Sequence, residues 1–396
     1  MTRGLAKGSR ASRGGLAPLA LLALMCTGLV AGCGTQTVKL ADASPPAVTV
    51  PLSTSLVTAQ GTWAIAVMGG SAASDNNFWQ LFVRPAGTSR WSLVTPPGVA
   101  DNGGLVAAGG GTSLTVAFRP SQNLVFSPLA TSTDAGRNWT TGLLDAGLAS
   151  TPGAIAVAPS GRTLALLQDG TVETAPAARA PDVSTAAGQW TQLTTLKALA
   201  ASAPGRSCGL TGVHAVSFGP GMSPMVAGSC GRPGVAGVFR AAGGTWQSAG
   251  LVLPAGFGAD QVQVLGLASI PGGNAALLLA GHRLLTAWSD GTRWTVSGSV
   301  AAGTVRAAGF GTAGSAWVLL GDGRAETIGG PGGAWQALPP VPPGTATLAP
   351  PGPAAAGGSY DALAVSGSRL TVWQLTQGAW VKVQLITVPI QYGSSG

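Results

Sequence analysis

The chain has 396 residues, 45% of them hydrophobic and only 9% charged, with 62 glycines and a formal charge of +8. That much apolar material excludes a globally disordered chain and is enough for a sizeable core. The positive charge does not read as a nucleic-acid surface: Arg3, Lys7, Arg10 and Arg13 supply half of it, and the remaining arginines form no basic stripe and no interleaving with aromatic residues.

Residues 1–15 are basic and free of acids, Leu16 to Val30 is an apolar run, and Val30-Ala31-Gly32-Cys33 follows. A charged start, a short apolar stretch and small residues before a cut site predict a secretory signal over 1–32. The run is short of the roughly 20 residues a membrane span needs, and no other segment supplies one. Val-Ala-Gly-Cys resembles the bacterial lipobox. That resemblance implies a diacylglycerol thioether on Cys33, palmitate among its chains, and cleavage just before it. Two acyl chains, at roughly 0.8 kcal/mol per buried CH₂, hold a protein firmly. The alternative is an ordinary secretory signal with an incidental cysteine. Residues 33–52, with Pro45 and Pro46, then read as a lipidated cysteine and flexible tether, and 53–396 as the folded domain. The Gly/Ala/Pro bias also suggests a GC-rich genome. The expected location is the extracytoplasmic side of the cell membrane of a high-GC Gram-positive bacterium, with the lipid as the sole membrane contact.

Of the four cysteines, Cys26 lies in the apolar run and Cys33 in the lipobox, leaving Cys208 and Cys230. An even pair in an oxidising compartment suggests one disulfide; a metal site or two free thiols are the alternatives. Two thiolates with only His214 and His282 elsewhere make a poor tetrahedral zinc site. No metal and no cofactor are expected.

The rest of the chain repeats. Trp91, Trp139, Trp190, Trp246, Trp294, Trp335 and Trp380 recur at β-propeller blade length, each opening an alternating segment. Each unit begins with a small apolar strand, such as Ala154–Ala158, Val213–Phe218 or Val264–Leu267, and continues into a hairpin. Asp169-Gly170 and Asp322-Gly323 read as two-residue turns with positive φ at both central positions, and Gly281 and Gly367 take the matching place in other units. The expected fold is all-β, a seven-bladed β-propeller, with six or eight blades as alternatives. Each blade has four strands, a to d, and the a strands line the axis.

Ser132-Thr133-Asp134-Ala135-Gly136-Arg137-Asn138-Trp139 matches Ser-x-Asp-x-Gly-x-x-Trp at every defined position, and Ser289-Asp290-Gly291-Thr292-Arg293-Trp294 is a shortened version. The chain thus resembles the Asp-box (BNR) repeat propellers, which include sialidases, sortilin-type receptors and exported bacterial proteins. The resemblance implies a structural role for Ser132, Asp134, Gly136, Trp139, Ser289, Asp290, Gly291 and Trp294. The acid accepts backbone hydrogen bonds within the c–d turn, the glycine takes the strained position, and the indole packs between blades.

This strand order puts c–d and a–b turns on one face, and b–c tips with d–a connections on the other. Cys208 and Cys230 fall on the second face of one blade, where a disulfide would staple a long Ala200–Gly209 loop. The candidate ligand-facing residues are Asp75, Asn76, Asn77 and Trp79 in one tip, with Arg206 and Arg232 beside the cysteines; plain solvated loops are the other reading.

A sialidase-like glycoside hydrolase needs paired carboxylates, or a Tyr nucleophile with its Glu, an Asp acid and three arginines. Only Tyr360, Tyr392, Glu173 and Glu326 are present, and the two glutamates occupy equivalent hairpin positions. Neither a P-loop nor a dinucleotide fingerprint occurs. The expectation is therefore no catalytic residue and no enzyme. The function expected is a binding or scaffold module for a protein or glycan of the cell envelope, with no nucleic acid partner; the alternative is the sialidase-like hydrolase.

Overall fold

The computed structural model describes residues 54–69, 77–99, 104–119, 127–144, 151–176, 190–353 and 358–389, all within one compact unit spanning Ala47–Gly396. Cys33 and the predicted signal and tether lie outside the described residues, as do Asp75, Asn76 and Tyr392.

The chain runs through successive antiparallel meanders of four strands. The first is β1 (Ser55–Thr58), β2 (Gly61–Gly69), β3 (Asn77–Pro85) and β4 (Ser92–Leu93); the second is β5 (Leu105–Gly110), β6 (Ser113–Phe118), β7 (Ser127–Ser132) and β8 (Thr140–Leu144). Next come β9 (Ala154–Val157), β10 (Thr163–Leu166), β11 (Val172–Ala175) and β12 (Thr191–Thr194), then helices α1 (Leu196–Ala201) and α2 (Ala203–Cys208). A nine-stranded sheet follows. It holds β13 (Leu210–Phe218), β14 (Pro224–Cys230), β15 (Gly237–Ala242) and β16 (Thr245–Ser248), then β17 (Val262–Ile270), β18 (Gly273–Ala280), β19 (Arg283–Ser289), β20 (Trp294–Val296) and the short β21 (Val300–Ala301). Its two halves join through the single pair Ser229↔Gln263. The last two sheets are β22 (Val305–Phe310), β23 (Ala316–Leu320), β24 (Ala325–Ile328) and β25 (Gln336–Ala337), and β26 (Thr345–Ala349), β27 (Asp361–Ser366), β28 (Arg369–Thr376) and β29 (Ala379–Thr387).

Burial explains the strand sequences. Second strands are covered on both faces by neighbouring sheets, so they read as continuous apolar runs rather than alternating ones: all five residues of Ala316–Leu320 in β23 are buried. Fourth strands lie at the rim and expose most positions; β29 leaves Val381, Val383 and Leu385 each about half exposed.

The recurring tryptophans bind successive sheets together. The Trp139 indole N–H donates to the Val94 carbonyl at 3.1 Å, Trp294 to Ala249 at 2.8 Å and Trp380 to Pro339 at 3.2 Å. Each acceptor follows the outermost strand of the meander before. In the first described meander, Trp91 donates instead to Asp361 Oδ2 in the last sheet at 2.8 Å. The first and last sheets therefore meet directly. Arg84 pairs with Asp361 at 2.5 Å, the Thr54 and Thr347 hydroxyls are 2.7 Å apart, and Gln384 brackets the Trp91 backbone with two 2.8 Å bonds. Among the described residues no strand is exchanged across this seam.

Two expectations are corrected. The Asp-Gly turns are not two-residue loops: Leu167 N–H bonds Thr171 O, and Leu320 N–H bonds Arg324 O, enclosing three residues. Only the glycines have positive φ, at 80° and 84°. Each aspartate instead accepts the N–H two residues on, Asp169 from Thr171 at 2.9 Å and Asp322 from Arg324 at 3.0 Å, which holds it in the ordinary negative-φ region. True two-residue turns occur at Gly281-His282 and Gly367-Ser368. Second, Ala200–Gly209 is not a loop but part of α1 and α2. Thr195 Oγ1 caps α1 by accepting from Ala198 N, Ser202 Oγ caps α2 by accepting from Gly205 N, and Gly209 ends α2 at φ 67°.

Candidate functional site

Connections between strands cluster at two ends. At one end sit the turns that precede the recurring tryptophans. Ser132 Oγ donates to Asp134 Oδ1 at 2.9 Å and accepts from Gly136 N at 2.8 Å. Asp134 Oδ1 takes the Asn138 backbone N–H at 2.9 Å, and Oδ2 takes its side-chain amide at 2.6 Å. Ala135 and Gly136 both have positive φ, 60° and 80°; Ala135 accepts that strain while its N–H reaches Gln60 Oε1 at 2.7 Å. Around Asp290 the pattern repeats in fewer residues: Oδ1 accepts from the backbone of Thr292 and Arg293, each at 2.8 Å, and Gly291 N bonds Ser289 Oγ at 3.0 Å. Both carboxylates are solvent-facing, yet both oxygens of Asp134 and Oδ1 of Asp290 are spent inside the turn.

These bonds favour the charged acids. The backbone N–H of Asn138, then its side chain, brings Asp134 down to about 2; the backbone N–H of Arg293, then the Thr292 hydroxyl, does the same for Asp290. A depressed acid stabilises the native state above its ordinary value of 3.8, and that contribution is lost as pH falls through about 2. Carboxyl-detected NMR titration is expected to place both midpoints near 2, and Asn138→Ala to raise that of Asp134 while leaving Asp290 in place.

The opposite end carries the disulfide between Cys208, the last residue of α2, and Cys230, the last residue of β14, with Cα atoms 5.3 Å apart. Arg206 and Arg232 are exposed on either side of it. Arg206 donates to the Ala201 carbonyl, and the Arg232 backbone N–H to the Cys208 carbonyl at 3.1 Å. The rest of the proposed ligand-facing set is not brought to them. Asn77 opens β3, paired with Gly69 in a different sheet. Trp79 is corrected: it is 3% exposed and packs with Leu105, Leu114 and Phe118 in the core between the first two sheets. Its place on a strand covered on both faces, rather than in the tip, is the reason.

Between the first strands lies a cavity of about 250 Å³, lined by Ser55–Val57, Val106–Gly109, Gly153–Val157, His214–Phe218, Leu265–Ile270, Phe310 and Gly311. His214 is its one titratable lining residue. β13 bulges there, the register slipping between Val213 and Ala215, and the same slip recurs at Leu265, Arg306 and Ala346. The extra residue exposes the imidazole, whose Nε2 lies 2.9 Å from Ser229 Oγ. The ring lies over Gly212, where a Cβ would come within 3.1 Å of Cε1, so this position suits glycine. Partial burial lowers the His214 pKa below the usual 6.5 and favours the neutral ring.

The groups a sialidase-like mechanism would use are scattered. Tyr360 is largely buried beside the Leu348 and Trp317 cluster, and burial raises its phenol to about 12. Glu173 lies on β11 and Glu326 on β24, in separate sheets. Among the described residues no cluster of three or more His, Cys, Asp or Glu side chains could hold a metal.

No family model matches the chain, and no curated protein does. Solved structures do match. A putative 6-phosphogluconolactonase from Bacteroides uniformis is 12% identical, with a TM-score of 0.51 over 84% of this chain and 98% of its own. The periplasmic gluconolactonase PpgL of Pseudomonas aeruginosa is 14% identical, TM-score 0.48, over 82% and 96% of the two chains. A fungal lectin from Aleuria aurantia, a six-bladed propeller, is 13% identical, TM-score 0.39, over 86% and 97%.

The fold is a β-propeller.

The expectation that this propeller is no enzyme is corrected by the same likeness. The fold is shared with a protein bearing a lactonase's name, so the build of the blades does not separate this chain from enzymes. The first strands of the propeller carry little local signal of the cavity they line. His214 stands out in the sequence only as one of two histidines. Val-x-[Ala/Gly] spans three of the bulges, at 213–215, 264–266 and 305–307, but it also occurs at 106–108 and 67–69 in unbroken register and is absent from Thr345–Thr347, so no local signal marks the bulges.

Proposed function

We propose that this chain is a seven-bladed propeller of the Asp-box repeat kind, tethered outside the membrane by lipid on Cys33, which binds an anionic protein or glycan of the cell envelope. The two faces support this reading by their difference. One face is made of short turns whose polar groups bond within themselves, as around Asp134 and Asp290. The other carries a built feature, the α1–α2 cap, stapled by the disulfide and presenting the exposed Arg206 and Arg232 with no carboxylate bonded to either among the described residues. Connecting segments held on a packed scaffold are where binding residues concentrate, and this cap is such a connection, between β12 and β13. The observation that carries the proposal is that cap. Envelope extract passed over the intact chain is expected to yield a partner whose capture is lost with Arg206→Glu and Arg232→Glu together. Capture that survives this double reversal refutes the face. Metabolic labelling with palmitate is expected to mark the chain and to fail in Cys33→Ala; label that persists refutes the anchor.

A further inference from the structure

The central cavity is walled by strand edges. Its lining residues run consecutively along β1, β5, β9, β13 and β17 rather than alternately, as happens when strands are seen edge-on. β1, β5 and β9 each pair with one neighbour, and β13 pairs with β14 alone, so among the described residues their inner edges present backbone N–H and C=O groups without ladder partners. Between these rows lie small apolar side chains, Ala107, Ala108, Ala154 and Ala156, and toward one end Phe218 and Phe310.

No Asp, Glu, Lys or Arg lines the cavity. A charged guest would lose hydration there with no fixed counter-charge to replace it. A polyol suits the wall better. Every hydroxyl both donates and accepts, matching rows in which N–H and C=O alternate, and its C–H surface can lie against alanine and glycine. The 250 Å³ volume holds roughly eight waters at about 30 Å³ each, and falls below the roughly 300–1,000 Å³ of sites for drug-sized ligands. That volume suits a guest of about one ring. His214 is the one titratable side chain placed to grip it, beside the hydroxyls of Ser55, Ser217 and Ser269: the bulge exposes it, Ser229 orients its Nε2, and Gly212 gives the ring its shelf.

We propose that the central cavity binds a small neutral polyhydroxylated molecule, one sugar ring or smaller, held by the inner strand edges and His214. This site is separate from the loop face, and either can fail without the other. Only two histidines occur in the chain, and His282 sits at an exposed hairpin tip, so imidazole NMR on the intact chain carries its own control. Glycerol, myo-inositol, glucose and galactose are titrated, with glucuronate and glucosamine as charged rings of the same size. At least one neutral polyol is expected to move the His214 signals and not those of His282. The charged rings are expected to bind about tenfold more weakly or worse. His214→Gln is expected to weaken calorimetric binding about tenfold, and Ser229→Ala, which leaves the ring in place but unoriented, several-fold. The proposal is overturned if no neutral polyol moves His214 in the wild type, if His282 moves equally, or if a charged ring binds as well. Wild-type mapping decides it even where His214→Gln fails to fold.

Discussion

Asp361→Ala is expected to destabilise the propeller by about 3–5 kcal/mol in denaturant titration, because it strands a buried cation. Arg84 and Asp361 lie 277 residues apart in sequence, in the first and last sheets, with side chains 9% and 2% exposed. Around that pair sit the Trp91 indole N–H on the same carboxylate oxygen, the Pro350 carbonyl 3.1 Å from Arg84 Nη2, and the Trp91 ring 5.5 Å from the guanidinium. Removing the carboxylate leaves both the guanidinium and the indole without it. The pair itself is a different matter. Burial pushes the Asp361 carboxyl above its ordinary value despite the opposing pull of Arg84, which says that desolvation outweighs the attraction. A raised acid favours the native state below its ordinary value of 3.8, and that contribution is lost as pH rises past the raised one. Arg84→Met with Asp361→Leu is therefore expected to lie within about 1 kcal/mol of the wild type, or above it. A single substitution costing less than the double one would show that the seam is held by something else.

Cys208→Ser with Cys230→Ser is expected to cost about 3 kcal/mol, from the freedom returned to an unfolded loop spanning 22 residues. The loss should concentrate in the α1–α2 cap, seen as faster amide exchange there than in β14. Cys208 and Cys230 are 4% and 3% exposed and pack with Leu199, Leu210, Val216 and Phe218, so a soluble reductant cannot reach the disulfide without local opening. Thiol titration in native buffer should show slow reduction, accelerating as denaturant loosens the cap. Gly237 makes a second test of the same packing, since a Cβ there would sit 2.9 Å from Cys230 Sγ. Gly237→Ala is expected to loosen the cap with the disulfide intact. Reduction at the rate of an exposed disulfide would contradict this account.

Strand identity was legible wherever burial follows a simple rule. The apolar second strands, the Asp-Gly hairpins and the spaced tryptophans all have local chemistry that points to their place. The disulfide followed from counting cysteines against compartment and blade position. Other features depend on partners far along the chain. Nothing near Arg84 announces Asp361, and Trp91 looks like the other recurring tryptophans although its indole bonds across the seam rather than to a preceding blade. Trp79 was misjudged because polar neighbours suggested a surface tip, whereas a strand between two sheets buries its aromatic residues. The α1–α2 cap was readable in principle: Thr195 and Ser202 are N-cap residues, Pro204 suits a first turn, and Gly209 suits a helix end. Two six-residue helices carry too little periodicity to outweigh the surrounding strand repeat.

Among the described residues no strand is shared at the seam, which makes the order of the sheets interchangeable with the position of the chain break. Each ladder is complete within its own stretch of sequence, so opening the backbone in the 338–344 connection between β25 and β26 would cut no strand pairing. Linking the present first and last sheets covalently would then convert the Arg84–Asp361 seam into an ordinary junction. A circular permutant of this kind should fold with the same sheets, while the side chains now spanning the seam would no longer have to hold two ends of a chain together.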